Sequence, residues 1–174
     1  ENGGTSYQRI LILRMRVSNQ RENMIGIISD THGLVRPQVI EALTGVELII
    51  HAGDIGNPDV LRTLETIAPV IAVRGNNDHD SWCEQIPLTN VVEHQSYFLY
   101  VLHELDHLDI DPVASEISAV IFGHSHRASA ERRKGVLYRN PGSAGPRRLT
   151  LPITVARLHL TDTGLTPEII EINT

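Results

Sequence analysis

Cysteine and lysine are almost absent from this 174-residue chain, and each shortage excludes a class of protein. The single cysteine, Cys83, has no partner for a disulfide framework and rules out a multi-cysteine zinc or iron–sulfur site. The single lysine, Lys134, lies outside any G-x-x-x-x-G-K-S/T sequence, so the chain is not a P-loop nucleotidase. No apolar run approaches the length of about 18 residues that a membrane-spanning helix requires.

Basic residues are also in deficit, with 15 Lys and Arg against 21 Asp and Glu and a formal net charge of −6. Binding to a nucleic-acid backbone needs a dense basic surface, so we do not expect bulk nucleic-acid binding. Apolar residues make up 41% of the chain, which is enough for a core and excludes a disordered chain. The first apolar stretch, at residues 10–13, is too short for the core of a secretory signal. We therefore expect a cytoplasmic protein without a membrane segment, and leave open whether it forms a homo-oligomer.

Residues 1–23 differ from the rest of the chain. They are polar and rich in Gly, Asn, Gln and Arg, without a lasting periodicity, whereas a clear strand pattern begins at Met24. We expect residues 1–23 to be an extension outside the core and residues 24–174 to form one domain. The alternative is an additional edge strand over residues 10–13.

The first half of the domain alternates short apolar runs with helical patterns. Strands are predicted at residues 24–29, 47–51 and 70–74, and helices at residues 36–43 and 58–67. Asn57 is the expected N-cap of the second helix, and Gly45 follows the end of the first. The β-α-β-α-β order predicts a parallel sheet with right-handed crossovers.

The second half is richer in strands and completes a single α/β domain with mixed strand directions. The predicted elements are strands at residues 97–103, 119–122, 136–139, 153–160 and 167–172, and one helix near residues 112–117.

Nine histidines need an explanation in a chain with one cysteine. Polar residues (Asp, His or Asn) follow five predicted strands where those strands end, in segments 29–33, 51–54, 74–78, 102–103 and 123–126. Because the carboxyl ends of parallel strands lie side by side, we expect these segments to form one rim. Imidazole nitrogens together with carboxylate and amide oxygens, without thiolates, suit catalytic divalent ions better than structural zinc. The donors are too many for one ion, so we expect two ions that share a carboxylate.

In chain order, the five segments contain the motifs D-x-H (30–32), G-D (53–54), G-N-x-D (75–78), a lone H (103) and G-H-x-H (123–126). The chain thereby resembles the calcineurin-like metallophosphoesterase superfamily, and within it the small single-domain bacterial and archaeal phosphodiesterases. The I-S-D-T-H-G opening at residues 28–33 and the Asn-Pro-Gly-Ser turn at residues 140–143 are typical of that branch. The resemblance covers residues 24–172 and implies a four-layer α/β/β/α sandwich of two mixed sheets.

The resemblance also implies a ligand set and a reaction. By motif position, the first metal would be held by Asp30, His32 and His126, the second by Asn76, His103 and His124, and both by Asp54 as a bridge. Asp54, Asn76 and His124 are the predicted catalytic residues. The implied activity is that of a phosphoric diester hydrolase, in which a hydroxide bridging the two ions attacks a small-molecule phosphate ester. Manganese is the expected metal, with nickel, iron or zinc as alternatives.

Two positions depart from the family pattern. Asn77 stands where many members have His and the phosphodiesterase branch often has Cys, and an amide cannot protonate a leaving group at neutral pH. His79 could replace that acid or could be an exposed loop histidine. Glu104 stands where Gly often follows the lone ligand His, so the local loop geometry is expected to differ. We expect Asp78 to accept a hydrogen bond from His124 or from another ligand.

Other residues near the motifs have weaker assignments. Asn76 and Arg74 are candidates for contact with the substrate, although Arg74 could equally be ion-paired. His51 is expected to pack behind the site. The rival function is a non-catalytic scaffold, because a eukaryotic retromer subunit resembles this fold and uses it to bind protein. That kind of scaffold has substitutions among the ligand positions, whereas all seven are intact here, which favours the enzyme.

Overall fold

The structure is a computed structural model that describes residues 23–173. Apart from Asn23, the expected N-terminal extension lies outside the described residues, as does the alternative strand at residues 10–13.

The described residues contain ten strands and two α-helices. The strands are β1 (Met24–Ile28), β2 (Leu48–Ala52), β3 (Val70–Val73), β4 (Thr89–His94), β5 (Tyr97–Leu102), β6 (Ala119–Ile121), β7 (Ser129–Arg133), β8 (Val136–Asn140), β9 (Thr154–Thr161) and β10 (Gly164–Glu171). The helices are α1 (Pro37–Leu43) and α2 (Pro58–Glu65).

The strands form two five-stranded sheets, and both sheets are mixed. The order in the first sheet is β10-β9-β1-β2-β3, in which β1, β2 and β3 are parallel. The order in the second sheet is β4-β5-β6-β8-β7, in which β5, β6 and β8 are parallel. The predicted α/β class with two mixed sheets is confirmed.

The main core lies between the two sheets. In β1, Ile25 and Ile27 pack in one cluster with Leu99 of β5 and Ile121 of β6, and all four side chains are fully buried. Ile28 points to the opposite face of β1 and packs in the cluster beneath the helices. Because strand side chains alternate between faces, β1 supplies two cores, and each fully buried aliphatic side chain contributes about 1.5–3 kcal/mol.

The two outer layers differ in thickness. Both helices cover the outer face of the first sheet, where Leu43 of α1 and Leu64 of α2 are fully buried. On the outer face of the second sheet, the described residues contribute a 3-10 turn at Leu105–His107 and the segment that follows it. Ile117 at the end of that segment packs in the same cluster as Tyr100 of β5.

The predicted helix near residues 112–117 is wrong. The segment forms a turn in which Asp111 Oδ1 accepts hydrogen bonds from the backbone N–H groups of Val113 and Ala114, at 3.0 and 3.3 Å. Glu116 then adopts a left-handed backbone with φ of 55°, which a continuing helix does not allow. The aspartate side chain therefore caps a single turn instead of starting a helix.

The parallel strands direct their carboxyl ends to one edge of the molecule. Beyond the end of the β1–β2 pairing, Asp30 N–H donates to Gly53 O and His32 N–H donates to Asp54 O, both at 3.0 Å. In the second sheet, Gly123 N–H donates to His103 O at 2.9 Å. Neither α-helix of the described residues is long and apolar enough to cross a membrane.

Candidate metal centre

Most of the predicted ligands have a left-handed backbone. The φ angles are 54° at Asp30, 45° at His32, 55° at Asp54, 67° at His124 and 58° at His126. Such conformations cost of order 1–3 kcal/mol each at residues other than glycine, and they concentrate at functional sites. The loops therefore maintain these five residues in unfavourable conformations at the strand ends.

Close contact between the loops depends on glycine. A Cβ atom on Gly75 would overlap Asp54 Oδ1, and a Cβ atom on Gly123 would overlap Ser29 Oγ and lie 2.8 Å from Asp30 Oδ2. Both glycines can thus be explained as positions where the backbone approaches a site carboxylate too closely for a side chain.

The first group of donors consists of Asp30, His32 and His126. His126 Nε2 lies 3.2 Å from Asp30 Oδ1, and the rings of His32 and His126 stack with centroids 5.4 Å apart. Asp30 Oδ1 and His126 Nδ1 are buried, yet neither has a hydrogen-bond partner among the described residues. Two ligand atoms that each lie about 2.1 Å from one ion are roughly 3.0–3.5 Å apart. The donor types and the spacing of this group therefore fit a divalent cation.

The second group consists of Asn76, His103 and His124. Asn76 Oδ1 lies 3.0 Å from both His103 Nε2 and His124 Nδ1. His103 Nδ1 donates to Ala52 O at 2.8 Å, so Nδ1 carries the ring proton in the neutral tautomer and Nε2 keeps its lone pair. An amide oxygen and two ring nitrogens thus converge, again as a set suited to a divalent cation.

Asp54 lies between the two groups and is only 2% exposed. Its Oδ1 is 3.5 Å from His103 Nε2 in the second group, and its Oδ2 is 3.8 Å from His32 Nε2 in the first. In addition, His124 N–H donates to Asp30 Oδ2 at 3.2 Å, which connects the groups a second time. The structure therefore brings all seven predicted ligands together, with Asp54 in the position expected of a bridge.

The electrostatics of this pocket favour positive charge. Burial tends to raise the pKa of Asp54, but hydrogen bonds from His103 and Asn77 outweigh it and hold that pKa well below its usual range. Burial likewise opposes protonation of His103, but the protonated ring can donate to both Asp54 and the Ala52 carbonyl, which raises its pKa. A buried carboxylate that remains ionised next to a histidine is a site for a cation.

His51 supports the site from behind, as the sequence indicated. Its Nδ1 accepts from Gly53 N–H at 3.2 Å, so Nε2 carries the proton and donates to Thr31 Oγ1 at 2.9 Å. Thr31 Oγ1 in turn donates to Ile55 O at 2.8 Å. Complete burial lowers the pKa of His51 to about 4, so its ring is neutral at neutral pH. This network fixes the turn that carries Asp54.

Asp78 braces backbone segments. Its carboxylate accepts from the N–H groups of Ile55 at 3.1 Å, Gly56 at 3.0 Å and Gly75 at 2.8 Å. The expectation that Asp78 accepts from His124 or from another ligand is wrong, because the hydrogen bonds of its carboxylate come from these three backbone N–H groups. Asp78 instead joins the loops after β2 and β3.

The remaining candidates lie at different distances from the donors. Asn77 contacts Asp54 directly, since its N–H donates to Oδ1 at 2.8 Å and its side-chain amide to Oδ2 at 2.6 Å. Glu104 Oε2 lies 3.9 Å from His124 Nε2. His79 is exposed, and Arg74 is half-buried.

Arg148 is near the site although the sequence did not single it out. Its Nη1 lies 3.4 Å from His126 Nε2. The only feature of the sequence that could have indicated Arg148 is the pair of arginines at residues 147–148, a few residues after the Asn-Pro-Gly-Ser turn. No ligand spacing or strand end marks that position.

Comparison with known protein families gives a match over most of the domain. Residues 24–163 match the model of the calcineurin-like phosphoesterase superfamily domain. A probable metallophosphoesterase of Methanothermobacter thermautotrophicus is 35% identical over 159 residues, which cover 84% of this chain and 91% of the relative. A phosphodiesterase of Methanocaldococcus jannaschii is 30% identical over 137 residues, covering 68% of this chain and 82% of the relative.

Solved structures show the same fold. An archaeal phosphodiesterase superposes with a TM-score of 0.72 at 29% identity, over 86% of this chain and 99% of its own. The vacuolar protein sorting protein Vps29 of Chaetomium thermophilum superposes with a TM-score of 0.68 at 19% identity, over 86% of this chain and 97% of its own. At that identity, the second likeness concerns the fold alone.

Proposed function

The chain belongs to the calcineurin-like phosphoesterase superfamily, and we propose that it is a phosphodiesterase whose site holds two divalent ions. The observation that carries this proposal is the position of Asp54, a buried carboxylate between two groups of three donors. A lone ion would use only one of those groups. Two ions would use every group of donors, including the buried Asp30 Oδ1, which has no hydrogen-bond partner among the described residues.

Each donor has a defined part in this proposal. The first ion would contact Asp30, His32 and His126, the second Asn76, His103 and His124, and both would contact Asp54. When bound, the ions supply Lewis-acid contact to phosphoryl oxygens and lower the pKa of the water molecule that serves as the nucleophile. The proposed metal is manganese, with nickel, iron or zinc as alternatives.

The charge of the site matches an anionic substrate. Only two of the seven donors, Asp30 and Asp54, are carboxylates, so two divalent ions leave a net positive pocket in a chain of net charge −6. We propose that the substrate is a small phosphate diester, in keeping with the similarity to the archaeal phosphodiesterase. Asn76, Arg74 and His79 are the proposed contacts to this substrate.

Asn77 has an orienting part in the proposed reaction. Its two donations to Asp54 fix both carboxylate oxygens, and its amide has no proton to give to a leaving group. The leaving oxygen must take its proton from another group, for which His79 is the proposed donor.

Metal-dependent turnover tests this function. Metal-stripped protein should hydrolyse bis-p-nitrophenyl phosphate after manganese, nickel, zinc or magnesium is added, and p-nitrophenyl phosphate more slowly. Calorimetric titration should give two ions per chain. If metal binds but neither ester is hydrolysed, the phosphodiesterase proposal is wrong, and the non-catalytic scaffold on the same fold is favoured.

The Asp54→Asn variant tests the bridge. It should lower kcat by at least about 1000-fold and reduce the binding stoichiometry, because the shared carboxylate is lost. Asp59→Asn is the matched control, since Asp59 is an exposed aspartate on α2 with 77% of its side chain accessible. Full activity in Asp54→Asn would show that the bridging assignment is wrong.

A further inference from the structure

The loop that follows β8 is fixed to the strand end that carries Asp30. Ser143 Oγ and Gly145 N–H both donate to Asp30 O at 3.1 Å. Arg36 Nη1 donates to Gly145 O at 2.8 Å and thereby stabilises the conformation of the loop. A Cβ atom on Gly145 would overlap Asp30 O. Arg148, three residues later, is thereby placed at the first group of donors.

The Arg148 guanidinium lies on the solvent side of that group. Its Nη1 is 3.4 Å from His126 Nε2, and His126 Nε2 is in turn 3.2 Å from Asp30 Oδ1. His126 is 5% exposed, whereas Arg148 is exposed. The cation therefore stands between solvent and the buried donors.

The position of the Arg148 guanidinium is electrostatically unfavourable when a metal ion occupies the first group of donors. An ion bound by Asp30 and His126 would repel Arg148, since both are positive and only a few ångström apart. An anion between them removes the repulsion, because it contacts the ion with one oxygen and the guanidinium with another. Arginine is well suited to that arrangement, since its planar donors match phosphate oxygens.

The backbone next to Arg148 is also unusual. Leu149 has a φ of 53° and is 90% exposed, so its left-handed conformation is not compensated by burial of its side chain. A bulky residue in this region is an outlier of the kind that occurs in tight turns. Arg148 O accepts from Leu151 N–H at 3.1 Å, which closes a tight turn immediately after the arginine.

We propose that Arg148 binds a non-bridging oxygen of the substrate phosphoryl group and is a substrate-binding residue of this site. The proposal rests on the phosphodiesterase function given above, and it makes Arg148 the side chain that holds the phosphate from the solvent side. Inorganic phosphate, as the shared part of every ester substrate, is the appropriate probe.

Phosphate binding to the manganese-loaded protein is the direct test. Arg148→Gln should weaken the binding of inorganic phosphate, measured by calorimetry, by about 10- to 100-fold, as expected for the loss of a charge-assisted hydrogen bond. KM for bis-p-nitrophenyl phosphate should rise by a similar factor, while manganese affinity stays unchanged. Arg148→Lys should recover part of the phosphate affinity, because it restores the charge without the planar pair of donors.

Arg62→Gln is the matched control. Arg62 is an exposed arginine on α2 that pairs with Asp59, and 67% of its side chain is accessible. The control removes the same charge from the molecule and should leave phosphate binding and KM as in the unaltered protein.

Three results would overturn the assignment of Arg148. The first is an unchanged phosphate affinity in Arg148→Gln, and the second is an equal loss of phosphate affinity in Arg62→Gln. The third is a change in manganese affinity in Arg148→Gln that accounts for the weaker phosphate binding, since Arg148 would then act only by supporting His126. Failure of the proposed phosphodiesterase function would give a result that differs from these three. In that case the unaltered protein binds phosphate more tightly than Arg148→Gln but hydrolyses neither ester.

Discussion

Asn77 is the residue next to Asp54 whose chemistry bears most directly on the proposed reaction. Its backbone N–H and its side-chain amide each donate to Asp54, but the amide cannot act as an acid. The Asn77→His variant should therefore raise kcat for diesters with poor, alkoxide leaving groups by about 10-fold or more, since general acid catalysis contributes roughly 100- to 10,000-fold in enzymes. Diesters of p-nitrophenol, which leave without protonation, should show no gain.

Steady-state rates on a methyl ester and a p-nitrophenyl ester would separate these expectations. Asn173→His, which makes the same exchange at an exposed position after β10, is the control. If kcat for the methyl ester does not rise, protonation at residue 77 does not limit the reaction.

The proximity of the seven predicted ligands could be anticipated from the sequence, because each one lies in a short motif at a strand end. The residues that support them could not be anticipated in this way. The contacts of Asp78 could not be anticipated, because its partners are backbone N–H groups and two of the three lie on a different loop, the one after β2. Arg148 was missed for a similar reason, since its approach to His126 depends on how a loop from β8 packs against Asp30.

At the scale of elements, the cap of α2 connects helix stability to the site. Asn57 Oδ1 accepts from the N–H groups of Asp59 and Val60 at 2.9 and 3.3 Å, which confirms the predicted N-cap. Its Nδ2 donates to Gly33 O at 3.4 Å, next to the predicted ligand His32. One side chain thus holds both the helix and the loop after β1.

Replacing this cap should destabilise the protein. Asn57→Ala should lower the free energy of unfolding by about 1 kcal/mol, because two helix N–H groups lose their acceptor. Asn57→Asp keeps an acceptor and is the control. Urea unfolding followed by circular dichroism would measure both, and equal midpoints for Asn57→Ala and the unaltered protein would contradict the role of the cap.

Elements with buried apolar runs were predictable, whereas the two edge strands of the second sheet were not. All eight predicted strands are present with boundaries within about three residues. The structure adds β4, in which only Val92 is buried, and β7, in which every residue is exposed. Without a buried face, neither strand leaves an apolar pattern in the sequence, and both are defined by pairing with β5 and β8.

On the scale of the whole molecule, the site joins the two sheets. Asp30, His32, Asp54 and Asn76 follow strands of the first sheet, while His103, His124 and His126 follow strands of the second. An ion that contacts donors from both sheets therefore stabilises their packing as well as the local loops.

Metal binding should consequently raise the melting temperature. An ion at 100 times its Kd stabilises the native state by about 2.7 kcal/mol, which corresponds to roughly 5–10 °C for a chain of this size. Thermal melting with and without excess manganese would measure the shift. Asp54→Asn should lose most of it and Asp59→Asn should retain it, so an equal shift in both variants would contradict a shared bridge.

The left-handed backbone of the ligands has a consequence for engineering this protein. At all five positions glycine would adopt the left-handed conformation without strain, but at Asp54 this gain is offset by the loss of two hydrogen bonds from Asn77. The same changes would remove the proposed donor atoms from the site. At residues 30, 32, 54, 124 and 126 these atoms are therefore carried by a backbone conformation that lowers stability. If heat-resistant variants are selected for folding alone, substitutions that reduce this backbone cost would be retained even where they remove donor atoms and catalytic activity.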